Sequence, residues 1–534
     1  MRSNIIQLKR RGRRAALGLS LGLSLGALSA CDSLLEVELP HLLTEAALEG
    51  PETAETQVNS IIALFECGSS AFGMVSLGHE DVIESIAGVG SSNSRYRNTP
   101  DTGGQCDDGS SNGNWFDQIM GARAAASNSV ERGDITGTGV YDRIQNDETW
   151  SSLRGTAEGE RLSAITAIYL GAIFTHYGEF YCEMAFDGGP LVKPDEALVT
   201  AENWINLALN THIGADFAMP FGISTSAVAM ATALRARIRW ARGDLAGAAT
   251  DAATITDGFT AWITRESGEQ RRNKIFHYHR SISFGGMYGV IDWWDPEIRS
   301  DKPGGGKWAN PIPFTGYIFL GIMPDGRTID ASGNAVLWAE EIRDADENPI
   351  PLPGFSSADA DTRVAHVFKT IQGPDKREAP DRYTAENDDI PLVSWKEMRL
   401  IQAEQANATG DQAGAIAHVN ALRTDAGVQI ITSGGAYEAA LLASQVQTRM
   451  MILEERRRAF FAEAGRYWST KIQNTDLLWF PRNEGSTPGV GYSLFGGVRL
   501  QFPDDEYEQN ENFQPGGLDL IGTGCDPDQR PHRT

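Results

Sequence analysis

The sequence predicts a mainly helical protein in which helical hairpins carry long irregular loops and a few short strands. Two observations lead there. Apolar residues recur at helical spacing over Trp115–Val130 and again over Glu158–Met184, as they do in helices with a buried face. Two further segments, 227–256 and 393–426, read as helical hairpins and repeat each other: Ala241-Arg242-Gly243-Asp244-Leu245-Ala246-Gly247-Ala248-Ala249 matches Ala408-Thr409-Gly410-Asp411-Gln412-Ala413-Gly414-Ala415-Ile416. In each copy a Gly able to take positive φ ends one helix, and an Asp caps the next.

The other elements follow the same logic. Broadly helical spacing from Glu45 to Phe65 closes on Ile61, Ile62, Leu64 and Phe65. Residues 88–114 are rich in Gly, Ser and Asn and predict a long loop of the functional kind. Between the hairpins, 257–392 mixes Gly, Pro, Trp and Tyr with charges and predicts irregular structure with short strands. A strong helix is expected from Tyr437 to Ala464, and a surface-wrapping tail from Asn483. The hairpins, with small residues after each turn, resemble tetratricopeptide repeats. Gly243 and Gly410 lie 167 residues apart, so this is no simple tandem array.

The N-terminus predicts export. Arg2, Lys9, Arg10, Arg11, Arg13 and Arg14 precede an apolar run, Ala15–Ala30, that ends in Leu28-Ser29-Ala30-Cys31. A basic head, a short apolar middle and a small-residue cleavage point make a signal peptide rather than a spanning helix. The last four residues resemble the lipobox of bacterial lipoproteins. That implies removal of residues 1–30, lipid on Cys31, a tether over 31–44, and a single body over 45–534. The body divides into an N-terminal helical part, 45–226, and a C-terminal part, 227–534.

The formal charge of −25 argues against nucleic acid, whose phosphates would be repelled. A covalent lipid anchor is compatible with that acidity. Once Cys31 is lipidated, Cys67, Cys106, Cys182 and Cys525 are left. In an exported chain these suggest disulfides, with three possible connectivities. Cys67 and Cys182 each end a predicted helix, which favours Cys67–Cys182 and leaves Cys106–Cys525. No C-x₂-C pair suggests zinc, and no cofactor or metal is expected. His277 and His279 lack an evident third ligand. His79-Glu80 fails as a zinc motif because Ile83 stands where the second His is needed.

Three segments resemble the SusD/RagB family of outer-membrane nutrient-uptake lipoproteins. They are Cys31-Asp32-Ser33-Leu34-Leu35-Glu36-Val37 with Pro40 following; Ile390-Pro391-Leu392-Val393-Ser394-Trp395-Lys396-Glu397 through Glu404; and Ile452-Leu453-Glu454-Glu455-Arg456-Arg457-Arg458 running to Glu463-Ala464-Gly465-Arg466-Tyr467-Trp468. Ala459, Ala464, Tyr467 and Ser469 depart from the family's usual acid, Gly, Trp and acid. The resemblance implies four repeat-like hairpins with loops forming a binding face. It also implies a non-enzymatic role: a cell-surface lid that captures an oligosaccharide or peptide and passes it to a SusC-like TonB-dependent transporter.

Family ligands are usually held by loops that correspond here to 68–116 and 275–320. Candidate contacts are Tyr288, Trp293, Trp294 and Asp295, with Trp308, Tyr96 and Trp115 as further platforms, because flat aromatic faces stack on sugar rings or peptide groups. The plain alternative for each ring is a core anchor under a loop. Trp293 and Trp294, being adjacent, cannot both bury on one strand face. The basic run Arg456-Arg457-Arg458 reads as a helix face paired with Glu454 and Glu455. The rival function is an exported glycoside hydrolase using acids among Asp292, Asp295 and Glu297. Three acids within six residues seldom face one another across a cleft.

Overall fold

In the computed structural model, helices pair in sequence order. The structure describes residues 49–77, 80, 83–85, 115–128, 137–268, 271–277, 288–290, 318–322, 337–354, 361–370, 376–478, 499–500, 502–503, 506, 510 and 512. Residues 1–53 and 54–534 form separate units. Of the first, Pro51–Thr53 forms a single 3-10 turn, in which the Thr53 hydroxyl donates to the Gly50 carbonyl at 2.8 Å.

In the second unit α1 (Ala54–Ser76) packs on α2 (Trp115–Ala126), and the short α3 (Val140–Asn146) leads to α4 (Ala157–Phe180) with its partner α5 (Pro194–Leu207). Next come the hairpins α6 (Ala227–Ala241) with α7 (Leu245–Ala252), and α8 (Trp395–Ala408) with α9 (Gln412–Asp425). Helices α10 (Ala436–Ala443), α11 (Gln445–Ala459) and α12 (Arg466–Gln473) follow, with α11 lying against α8 and α9. The pairs α1/α2, α4/α5, α6/α7 and α8/α9 are the four hairpins expected of a tetratricopeptide-like scaffold.

Helix α4 is the axis of the core. The Thr156 hydroxyl caps it by accepting from the Gly159 amide at 3.1 Å, and Glu158 and Glu160 occupy its positive end. From Leu162 to Phe180 every residue is buried, so helices surround it on all sides. Its glycines admit α5 closely: a Cβ at Gly171 would lie 2.4 Å from Ile205, and one at Gly178 2.6 Å from Leu198. Helix α5 starts with Pro194 at its first turn, where no intrahelical N–H is needed.

The irregular region contributes short antiparallel pairs. These join β1 (Ile83–Ser85) to β3 (Tyr288–Val290), β2 (Thr260–Ile263) to β10 (Ile390–Ser394), and β4 (Ile318–Ile322) to β5 (Leu337–Glu340). Likewise β6 (Ile342–Arg343) pairs with β7 (Pro349–Ile350), and β8 (His366–Thr370) with β9 (Lys376–Pro380).

Several expectations are corrected. The first helix begins at Ala54 rather than Glu45 and continues to Ser76, so Cys67 lies within it rather than at its end. The helix expected over 437–464 is two helices. Ser444 takes extended backbone angles, and its hydroxyl accepts from the Gln447 amide, restarting the helix as α11. The sequence reading omitted α3, α5 and α12. Cys67 and Cys182 are both buried, on or just beyond the packed helices α1 and α4. Cys31, Cys106 and Cys525 lie outside the described residues. Among the described residues no helix is long and apolar enough to cross a membrane.

Candidate ligand-binding face

The two loop regions predicted to hold ligand, about 200 residues apart in sequence, meet in space. Strand β1 from the first pairs with β3 from the second: Ile83 stands opposite Val290, Glu84 opposite Gly289 and Ser85 opposite Tyr288. Strand β3 also lies against β9. Tyr288 therefore opens β3. Trp293, Trp294, Asp295, Trp308 and Tyr96 lie outside the described residues, as do Asp292, Glu297 and His279.

Trp115 is corrected. It is 1% exposed, and its indole N–H donates to the Tyr181 hydroxyl at 3.0 Å. Phe72 approaches it edge-on. As the first residue of α2 it is a core anchor, so it offers no platform to a ligand.

The second loop region is fastened at both feet. At its start the Lys274 amide donates to the Ser70 hydroxyl of α1 at 3.1 Å, and the Asn273 amide to the Glu386 carbonyl at 2.7 Å. His277 Nδ1 lies 2.9 Å from Glu386 Oε1. At the far foot the Phe319 amide donates to Glu454 Oε2 of α11 at 3.1 Å, and the Arg457 guanidinium sits 5.3 Å over the Phe319 ring. Contacts of this kind fix both ends of the segment to the helical scaffold.

That scaffold is ionic. Arg456, Arg457 and Arg458 are all buried, not a solvated face. Arg457 and Arg458 do pair with Glu454, at 2.5 and 2.8 Å, and Arg458 also reaches Asp361 at 3.2 Å. Arg456 instead binds Glu404 of α8 and lies 4.4 Å over the Trp240 ring. Glu455 is taken by Arg363 at 2.6 Å and Arg423 at 2.5 Å. Buried charges are tolerated only when paired this fully.

The turn between α11 and α12 ties this cluster to the first loop region. Ala462, Ala464 and Gly465 have φ of 56°, 49° and 88°. Ala464 thus sits in the left-handed region that favours glycine. A Cβ at Gly465 would come within 2.8 Å of Phe72 and 2.9 Å of Phe180. Glu463 is held by Arg382, whose neighbour Tyr383 donates its hydroxyl to the Ala462 carbonyl at 3.0 Å. Arg466 grips Glu179 of α4 at 2.8 Å, and Ser469 donates to the same carboxylate at 2.8 Å.

Glu80, three residues before β1, is buried next to Arg466. Desolvation pushes its carboxyl up to about 8, against the opposing pull of Arg466 and the Trp468 and Tyr467 amides. His176 on α4 is forced down to about 3 by burial and by Arg466, so it is neutral. Beside His176 lies a cavity of about 40 Å³ lined by Ser69, Thr175, Glu179, Arg237 and Glu463, among others. That is room for water, not for a sugar or peptide, whose sites span roughly 300–1,000 Å³. Among the described residues no group of three or more His, Cys, Asp or Glu could hold a metal ion.

Sequence reasoning missed these supports. The available signal was acids and bases embedded in otherwise apolar helices, such as Glu66, Glu179 and Arg237.

Residues 356–471 match the SusD family. The fold resembles a SusD superfamily protein from Bacteroides fragilis, at 13% identity with a TM-score of 0.50, covering 87% of this chain and 99% of that one. A SusD-like carbohydrate binding protein from Bacteroides vulgatus is similar at 15% identity and a TM-score of 0.47, over 80% of this chain and 84% of that one. A search of curated protein sequences found no match. The matched segment spans β8 to α12, the region that supplies Asp361, Arg363, the buried arginine run and the strained turn. Over residues 356–471 this chain is similar to the SusD family.

Proposed function

We propose that the protein is a lipid-anchored binding protein of the outer cell surface. It captures an oligosaccharide or peptide nutrient and delivers it to a SusC-like TonB-dependent transporter, without catalysing a reaction. The observation that carries this reading is the pairing of β1 with β3, which joins two aromatic-rich loop regions on a rigid helical scaffold. The match of residues 356–471 to the SusD family supports nutrient binding. Contact with ligand is assigned to Tyr288, Trp293, Trp294, Asp295, Trp308 and Tyr96, rings suited to stacking and a carboxylate suited to accepting hydroxyl or amine protons.

Lipidation of Cys31 would leave residues 32–44 as the tether. Within the body we assign one disulfide to Cys67 and Cys182, both buried on neighbouring elements, and a second to Cys106 and Cys525. Peptide mapping under non-reducing conditions tests both pairings, and a scrambled pattern would overturn them. The hydrolase alternative through Asp292, Asp295 and Glu297 finds no support in the family match.

Titration calorimetry against a panel of oligosaccharides and peptides tests the main reading. Saturable binding without turnover is expected, and turnover of any bound compound sinks it. Pull-down from detergent-solubilised membranes should recover a large β-barrel partner. Replacing Cys31 with Ala should release the protein from the membrane fraction.

A further inference from the structure

One of the differences between the two repeated hairpins lies beside a groove. The offset from Gly243 to Gly410 sets Trp240 of α6 opposite Asn407 of α8. Trp240 fills its position: its indole N–H donates to Glu404 at 2.7 Å, and Arg456 covers its face. Asn407 is far smaller and turns aside to α11, its Nδ2 donating to the Gln445 carbonyl at 3.0 Å. Beside it lies a concavity of about 400 Å³, within the size range of small-ligand sites.

The walls have two chemistries. Leu245, Ala408, Val446 and Ile452 supply apolar surface. Val446 is 58% exposed, and nearby Leu442 is exposed on α10, so the apolar character reaches the rim. Of the two charges lining the groove, Glu404 is already occupied by Trp240 and Arg456. Among the described residues Arg449 is held by Asn474 and by Asp476, whose side chain is 56% exposed. That pair is bidentate, at 2.5 and 2.7 Å, but it stands open to solvent, where a second carboxylate competes for the same guanidinium.

We propose that this groove binds the carboxyl end of a short peptide whose last side chain is aliphatic. The aliphatic group would lie on Leu245, Val446 and Ile452, and the terminal carboxylate would replace Asp476 on Arg449, where planar two-point pairing favours guanidinium over other cations. One negative charge offset by an amino terminus also suits a chain whose net charge would repel polyanions. The inference stands apart from the ligand face and does not depend on it.

The test is calorimetric titration of the whole protein with the dipeptide Ala-Leu and with its C-terminal amide. The acid should bind at least about tenfold more tightly than the amide. Arg449→Gln should lose about tenfold for the acid while leaving the amide unchanged. Asp476→Asn should bind the acid as well as the parent or better, since it frees Arg449. Val446→Asp should abolish binding of both. Thermal melts of each variant verify folding. Equal affinity for acid and amide, indifference to Arg449→Gln, or no saturable binding at millimolar dipeptide overturns the proposal. Oligosaccharide binding at the ligand face should be unchanged in all three variants, so failure here is separable from failure there.

Discussion

The hairpins α6–α7 and α8–α9 share a turn almost atom for atom and carry opposite charges. In the first, Gly243 has φ 81°, Asp244 Oδ1 accepts from the Gly247 amide at 2.9 Å, and the Asp244 amide donates to the Arg239 carbonyl at 2.8 Å. In the second, Gly410 has φ 84°, Asp411 accepts from the Gly414 amide at 2.8 Å, and the Asp411 amide donates to the Ala406 carbonyl at 2.8 Å. Yet where the first hairpin has Arg237, the second has Glu404. The first contributes Arg237 to Glu397 of the second, at 2.8 Å, and Trp240 to Glu404. The turn is thus a local motif used twice, whereas the charges are complementary halves of one buried network.

The sharpest way to break that complementarity is Arg237→Met, which strands Glu397 in the core. Urea denaturation should show a loss of about 3–5 kcal/mol. The double variant Arg237→Met with Glu397→Leu should recover most of it, since neither charge is then left unpaired. No recovery would mean the two hairpins are not coupled through this pair.

A second prediction concerns buried groups whose charge the neighbouring network does not stabilise. The carboxyl of Glu80 is raised from 4.5 to about 8. The fold therefore holds a proton that the unfolded chain releases, and stability falls as pH climbs from 4.5 through about 8. His176 is lowered from 6.5 to about 3, so stability also falls as pH drops below 6.5. Maximal stability is expected between these limits, near pH 4.5–6.5, in denaturation curves taken across pH. Glu80→Gln should remove most of the alkaline loss, a gain of roughly 2–4 kcal/mol at pH 8. An unchanged alkaline limb in that variant would refute the assignment.

Smaller effects probe the shared turn. Gly243→Ala and Gly410→Ala should each cost about 1–2 kcal/mol by forcing a Cβ into left-handed backbone. The two losses should agree closely, because nothing lies near either position to add a clash. Unequal losses would show that the turns are not equivalent. Smallest of all, Ala464→Gly should stabilise by up to about 1 kcal/mol, by relieving a left-handed alanine, as read from the melting temperature.

What was legible in the sequence follows the range of the interactions concerned. The turns at Gly243 and Gly410 could be read because cap, glycine and helix lie within nine residues. The long apolar run of α4 could be read because burial on every side leaves few polar positions. The break at Ser444 was hidden inside a continuous helical pattern, since a serine cap is cheap to form and leaves the apolar spacing intact. Trp115 was ambiguous because an aromatic at a loop–helix junction can face either way. Tyr181, 66 residues on, decides its direction. The arginine run pointed to the adjacent Glu454 and Glu455. Arg456 instead found Glu404, and Glu455 found Arg363 and Arg423, because packing brought those residues within 3 Å.

The sequence by itself determined the helical class, the repeated hairpins and the two loop regions that make up the candidate face. Each rests on contacts of short range or on hydrophobic period. Only the tertiary structure decided that β1 meets β3, that three consecutive arginines lie in the core, and that Asn407 lies beside a groove while its counterpart Trp240 is covered. These depend on which distant side chains share a low-dielectric interior, and a charge there is stable only with the partner that folding delivers.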